Sequence, residues 1–291
     1  MDVMDNDEDN APIKSGHFSY ALDQPKRWQR LVIRFIEKLT GQIKIWRLYN
    51  AYRKESLYTG EMFWDAAIRK LDLDIDYDED ALERIPKMGP LVVVANHPYG
   101  VLDGLILNQL MSKVRTDYKV LTTSVLCQAP ETGDKLLPID FSGSEEAKKT
   151  NLNTRKQSLD VLKNNGAIAV FPAGGVATIS SFKDKVAEDM PWQPFIGKLV
   201  MQSGAQIVPI YFEGQNSRLF QLASLISSTL RVSLYFKEVA DRIGSRMGVV
   251  IGDPIQYEDI PNFRDRYELC AYLRQKTYGL ADQDKTDPQT G

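Results

Sequence analysis

The sequence predicts an α/β fold: a largely parallel central sheet flanked by helices, preceded by an amphipathic helical segment. Three observations lead there. Apolar runs of strand length alternate with helical patterns from Leu91 onward. Upstream, Trp28, Leu31, Val32, Phe35, Ile36 and Leu39 recur at helical spacing. The chain has 291 residues, 43% of them hydrophobic and 26% charged, enough to bury one large α/β core.

Residues 1–24 read as a mobile acidic tail, with Asp2, Asp5, Asp7, Glu8 and Asp9 at its start. Such a start is unlike a cationic signal peptide, and no apolar run approaches the ~20 residues of a membrane-spanning helix. The charge then reverses. Between Pro25 and Lys54 stand nine basic residues and a single acid, Glu37. Pro25 suits a helix start and Gly41 its C-cap, and a second helix is expected over 43–52. A basic amphipathic helix carrying Trp and Phe has two readings. Its apolar face lies in a membrane interface, or it packs on the domain and leaves the cations solvated. The whole region 25–84 is expected to be helical and able to bind a membrane.

An α/β domain is expected over 85–281, with strands at 91–95, 118–123, 167–171, 206–212 and 248–252. Helices are expected at 103–112, 151–164, 195–203, 218–230 and 264–278, and a disordered polar tail at 282–291. In parallel sheets, sites gather at the carboxyl ends of strands. A net charge of −3 excludes a nucleic-acid binder by charge, and Cys127 and Cys270 lack metal spacing or a disulfide framework. No metal site is expected, and the compartment is read as reducing.

The most informative stretch is Leu91 to Gly104, where an apolar strand ends in Asn96-His97-Pro98 and Asp103 follows six residues beyond the His. The other histidine, His17, lies in the tail. An imidazole titrates near neutrality, and a carboxylate on one ring nitrogen sets the tautomer and supports the positive charge. Asp103 also suits the N-cap of the helix expected after it. Three further stretches end at the same expected edge. In Phe171-Pro172-Ala173-Gly174-Gly175, backbone N–H groups near the glycines suit an oxyanion or a phosphate, although taken alone the stretch reads as an ordinary strand-ending turn. The strand containing Val208-Pro209-Ile210 runs into a polar loop. Ile139 to Gly143 is followed by Lys148, Lys149 and Arg155, and a fixed guanidinium at Arg155 suits an acidic head group.

In this order and spacing, the four stretches resemble the PlsC-like glycerolipid acyltransferase superfamily over roughly 85–255. Asn96-His97 through Asp103 resembles its Asn-His…Asp block, Phe171 to Gly174 its Phe-Pro-Glu-Gly block, and Val208-Pro209-Ile210 its Val-Pro-Ile block. Two departures stand out: five residues rather than four separate His97 from Asp103, and Ala173 replaces the family Glu. The form Asn-His-Pro-x-Gly-x-x-Asp-Gly resembles the branch holding bacterial hemolysin-like proteins and lyso-ornithine lipid acyltransferases.

The resemblance implies an O-acyltransferase. His97 is expected as general base and Asp103 as its partner, with Asn96, Gly100, Arg155, Phe171, Pro172, Gly174, Gly175 and Pro209 contacting substrate. The co-substrate is expected to be acyl-ACP or acyl-CoA with no cofactor, and the acceptor a lysophospholipid or lyso-ornithine lipid. The expected place is the cytoplasmic face of the inner membrane, bound peripherally through an anionic surface. The rival reading is an inactive lipid-binding or membrane-associated scaffold on the same fold. No Gly-x-Ser-x-Gly elbow, Walker A loop or Gly-x-Gly-x-x-Gly fingerprint is present.

Overall fold

The computed structural model describes residues 19–23, 26–59, 62–123, 127, 130–140 and 143–283. The expectations for 1–18 and 284–291, for Pro25, and for Phe141 and Ser142 lie outside the described residues.

Seven strands form one sheet: β1 (Asp74–Asp76), β2 (Leu91–Ala95), β3 (Tyr118–Thr123), β4 (Leu136–Ile139), β5 (Ala167–Val170), β6 (Gln206–Phe212) and β7 (Arg246–Ile251), in the order β1-β7-β6-β2-β5-β3-β4. The five strands from β6 to β4 run parallel. β7 is antiparallel to β6, and β1 pairs parallel with β7. β1 and β4 were not expected. With only three and four residues they are too short to show a period, and Pro138 interrupts the second.

The helices are α1 (Arg27–Thr40), α2 (Gln42–Thr59), α3 (Phe63–Lys70), α4 (Glu79–Glu83), α5 (Val101–Val114), α6 (Glu145–Lys163), α7 (Pro194–Ser203), α8 (Arg218–Ile226), α9 (Ser228–Ser233), α10 (Tyr235–Asp241), α11 (Arg266–Tyr278) and α12 (Leu280–Gln283). α6 starts earlier than expected because Ser144 caps it, its Oγ accepting from Ala147 N–H at 3.0 Å, with Glu145 and Glu146 favourable in the first turn. The helix expected over 218–230 breaks at Ser227, whose backbone is extended and whose Oγ caps α9.

Strand alternation divides the core. Leu91, Val93 and Ala95 of β2 pack in the layer that holds α5, while Val92 and Val94 pack with residues of α6, α7 and α11. All five are fully buried, and a buried Val or Leu contributes roughly 1.5–3 kcal/mol. The register aligns Val94 with Val170 and Pro209, so the loops after β2, β5 and β6 leave one edge together.

α1 is amphipathic in an unusual sense. Ile33 and Glu37 are buried, and Ile36 packs on a cluster of Val176, Phe220, Ala223 and Leu234. Trp28, Leu31, Phe35 and Leu39 are 55–69% exposed. Glu37 accepts from Tyr20 N–H at 2.9 Å and from Ser19 Oγ at 2.5 Å. The expected tail is therefore packed at its end, where Tyr20 lies against Tyr235 and Phe236.

Burial pushes the Glu37 carboxyl up to about 7. A carboxyl raised on folding contributes stability that is fully present below its unfolded value near 4.5 and lost as pH rises through about 7. The shift corresponds to about 3 kcal/mol. Glu37→Gln keeps an acceptor for Tyr20 and offers a donor to Ser19. Its melting temperature is expected to lose this decline when thermal melts are compared between about pH 5 and 8.

Candidate active site

β2 delivers His97 to the carboxyl edge. Asn96 anchors the delivery: its Nδ2 donates to Phe212 O at 2.9 Å and its Oδ1 accepts from Phe212 N–H at 2.7 Å. Fully engaged and 3% exposed, Asn96 ties the end of β2 to β6 and does not face substrate as expected.

The turn after His97 carries the extra residue. Gly100 adopts φ +82°, which L side chains resist, and a Cβ there would lie 3.0 Å from Val176 Cγ2. Its role is this turn rather than the substrate contact expected. α5 starts at Val101, so Asp103 sits in its first turn rather than at its N-cap. Asp103 Oδ2 is 2.9 Å from His97 Nδ1 and also accepts from Tyr99 N–H at 2.8 Å and Gly100 N–H at 2.9 Å. The carboxylate is completely buried, and three donors on one oxygen fix its orientation. An acceptor at Nδ1 assigns the neutral ring's proton to Nδ1 and its lone pair to Nε2. Among the described residues Nε2 has no partner, and the side chain keeps 17% exposure.

The loop between β5 and α7 seats the ring from other directions. Phe171 stacks on it with centroids 3.9 Å apart and planes 19° apart. Ala177 N–H donates to His97 O at 2.8 Å. Asp189 Oδ1 accepts from His97 N–H at 3.1 Å. Burial raises the Asp189 carboxyl, opposed by the Trp192 hydrogen bond and the neighbouring His97.

The glycines of this loop differ. Gly174 N–H closes a turn onto Phe171 O at 3.1 Å and is spent there, with φ +70°. Gly175 N–H has no partner among the described residues. Pro172 is buried, its carbonyl accepting from Gln193 N–H at 2.9 Å, so it shapes the loop. Ala173 is 2% exposed and faces the layer of α6 and α7.

Pro209 and Arg155, two of the expected substrate-binding residues, have other neighbours. Pro209 lies inside β6, paired with Val94 of β2, and its carbonyl accepts from Gly252 N–H at 2.9 Å. Arg155 lies in the third turn of α6, in the layer opposite α5, with its guanidinium 5.5 Å from the Phe195 ring centroid. Lys148 pairs with Glu145 at 2.7 Å. Asp189, Ala177 and Gly214 had no sequence signal, because none belongs to a spaced motif and each acts through backbone or across loops.

Gly214 shows this dependence. It has φ +86°, and a Cβ there would lie 2.0 Å from Tyr99 Oη. Tyr99 is buried under the Arg242 guanidinium, 4.1 Å from its ring centroid, and its N–H is one of the three donors to Asp103. Gly214→Ala is expected to cost about 1–3 kcal/mol in overpacking and to lower turnover by displacing that N–H. A thermal melt and initial-rate assay of the same preparation check both.

The family model described as Acyltransferase matches residues 34–286. A lyso-glycine lipid O-acyltransferase of Bacteroides thetaiotaomicron is 25% identical over 269 residues, covering 88% of this chain and 93% of its own. One of Phocaeicola vulgatus, with the same name, is 22% identical over 259 residues, covering 86% of this chain and 88% of its own. The crystal structure of the 1-acyl-sn-glycerophosphate acyltransferase PlsC from Thermotoga maritima aligns with TM-score 0.47 and 15% identity, covering 92% of this chain and 87% of that one. With the model match spanning most of the chain, the protein belongs to the acyltransferase family and is an acyltransferase.

Proposed function

We propose that this acyltransferase moves a fatty acyl group from a thioester, acyl-ACP or acyl-CoA, to the hydroxyl of a lysolipid, with an amino-acid lysolipid as the foremost acceptor. The observation that carries the reading is His97 Nδ1 held 2.9 Å from Asp103 with Nε2 unpartnered. The acceptor hydroxyl donates its proton to Nε2 as its oxygen attacks the thioester carbon. The C–O bond forms, the oxyanion collapses, the C–S bond breaks, and the thiolate leaves with the proton returned from the ring. Gly175 N–H is the donor we assign to the oxyanion. A thioester is already activated, and this route needs no acyl-enzyme.

The names of the two bacterial relatives support an amino-acid head group. No helix among the described residues is long and apolar enough to cross a membrane. The exposed stripe of α1, with Arg27, Arg34 and Lys38 on the same helix, supports docking to an anionic bilayer surface. Beside it, a shallow cavity of about 460 Å³ at the α1–α2 elbow is lined by Lys38, Lys44 and Arg47 among apolar residues. Three cations there suit lipid phosphates.

The test is transfer of labelled acyl groups by purified protein. Acyl-ACP and acyl-CoA are offered in turn with lyso-glycine lipid, lyso-ornithine lipid and lysophosphatidic acid on vesicles. Turnover with an amino-acid lysolipid above lysophosphatidic acid is expected. Lysophosphatidic acid as the preferred acceptor would overturn the head-group assignment. No turnover with any pair would overturn the donor and acceptor classes proposed here.

A further inference from the structure

The geometry points to Asp189 as a positioning residue for the base: it clamps the His97 backbone, places a second negative charge beside the imidazole, and is itself set by Tyr278 and Arg274 of α11. This rests on His97 being the base.

Asp189 is 5% exposed. Its Oδ1 accepts from His97 N–H at 3.1 Å and its Oδ2 from Trp192 Nε1–H at 3.0 Å. Both donors are neutral. Arg274, the nearby cation, is directed elsewhere: its Nη2 donates to Glu188 Oε2 at 2.8 Å and to the Asp189 carbonyl at 3.1 Å, while its guanidinium lies 4.5 Å from the Tyr278 ring centroid. Tyr278 Oη in turn accepts from Asp189 N–H at 2.8 Å. A buried carboxylate with only neutral donors is costly in a resting protein. The cost makes sense if a cation forms beside it during turnover, and the ring that becomes cationic is His97. An interaction that strengthens as the imidazolium forms favours the transition state over the ground state.

The groups facing this carboxylate come from four places. They are His97 after β2, Trp192 and Glu188 from its own loop, Arg274 and Tyr278 from α11, and Tyr211 of β6, whose ring meets Tyr278 edge-on at 5.8 Å. Asp103 holds Nδ1 of the same imidazole. Residues near the end of the described chain thus set the backbone of a base that lies almost two hundred residues earlier.

The test separates charge from geometry. Asn at position 189 offers one acceptor to two donors, so Asp189→Asn is combined with Trp192→Phe, which removes the second donor, and compared with Trp192→Phe alone. In the pair, the His97 N–H keeps a neutral acceptor and only the charge is lost. The double variant is expected to turn over about tenfold more slowly, with KM for the lysolipid unchanged. The acidic limb of its kcat/KM profile moves to lower pH by about one unit, because loss of a nearby negative charge disfavours the imidazolium. Asp189→Glu with native Trp192 restores part of the rate by restoring the charge. An unchanged limb and unchanged kcat in the double variant would overturn the proposal. Tyr278→Phe leaves the carboxylate and both donors in place and is the second variant, should the double variant fail to fold. It is expected to lower kcat at constant KM without moving the limb, and a wild-type kcat there would overturn the role of α11. His97→Ala in parallel keeps the two readings apart: activity in that variant would defeat the base itself, whereas an inactive His97→Ala beside a double variant of wild-type kcat and limb would defeat the clamp alone.

Discussion

His97→Ala is expected to abolish acyl transfer while leaving the fold intact. The ring contributes no core packing beyond its stack on Phe171, so circular dichroism and the thermal melt should stay close to those of the wild type. Among the described residues His97 is the one histidine, so no other imidazole stands at the carboxyl edge of β2. Asp103→Asn is expected to lose nearly as much. With its oxygen in the place of Oδ2, the Asn amide keeps all three donors but removes the negative charge that supports the imidazolium; with its NH2 there, it opposes the Tyr99 and Gly100 N–H groups and drives the ring to the tautomer with its proton on Nε2, where it cannot accept from the hydroxyl. For scale, the equivalent Asp-to-Asn change in the serine-protease triad costs ~10⁴-fold. Because Asp103 is fully buried with three donors, a stability loss of about 1–3 kcal/mol accompanies it. Initial rates with the best acyl donor and acceptor, beside melts of both variants, decide the matter, and full activity in His97→Ala would sink the mechanism.

Replacing Leu31, Phe35 and Leu39 together with Gln is expected to weaken binding to anionic vesicles at least a hundredfold with little change in melting temperature. Each of these side chains is more than two-thirds exposed, so the folded protein in water loses no packing by the change. In a bilayer interface each would bury apolar surface worth roughly 1–2 kcal/mol even when only partly immersed. Arg27, Arg30 and Arg34 to Gln is expected to weaken binding further in low salt, with about 1 kcal/mol per cation, and to lose that effect as salt rises. Co-sedimentation at two ionic strengths reads both. Deletion of the whole basic segment is the poorer experiment. Ile33, Ile36 and Glu37 on the other side of α1 hold it to the domain, and removing them would bare the cluster around Phe220. Wild-type vesicle binding by the triple-Gln variant would move the docking surface elsewhere, with Phe182, Val186, Leu219 and Ile226 among the other exposed apolar residues.

The amino-acid sequence by itself determined the architecture, the pairing of His97 with Asp103 and the amphipathic helix. Each of these is encoded over a short stretch: β2 by five consecutive apolar residues, the His97–Asp103 pair by one turn, and α1 by a period of 3.6. Even the extra residue between His97 and Asp103 was accommodated locally, by the left-handed Gly100. Tertiary structure decided what depends on distant partners. Asn96 turned from a substrate contact into a strand tie because Phe212, 116 residues away, takes both ends of its amide. Arg155 left the site because the face of the sheet that α6 covers is set by the crossover and not by residues near Arg155. Pro209 became part of the sheet because its neighbours in space are Val94 and Gly252. β7 turned antiparallel, and the helix expected over 218–230 broke into α8 and α9 at Ser227, since strand direction and helix ends answered to the packing around them. Asp189 had no pattern to announce it. Its meaning lies in a hydrogen bond to a backbone 92 residues away, and such a bond leaves no trace in spacing or composition.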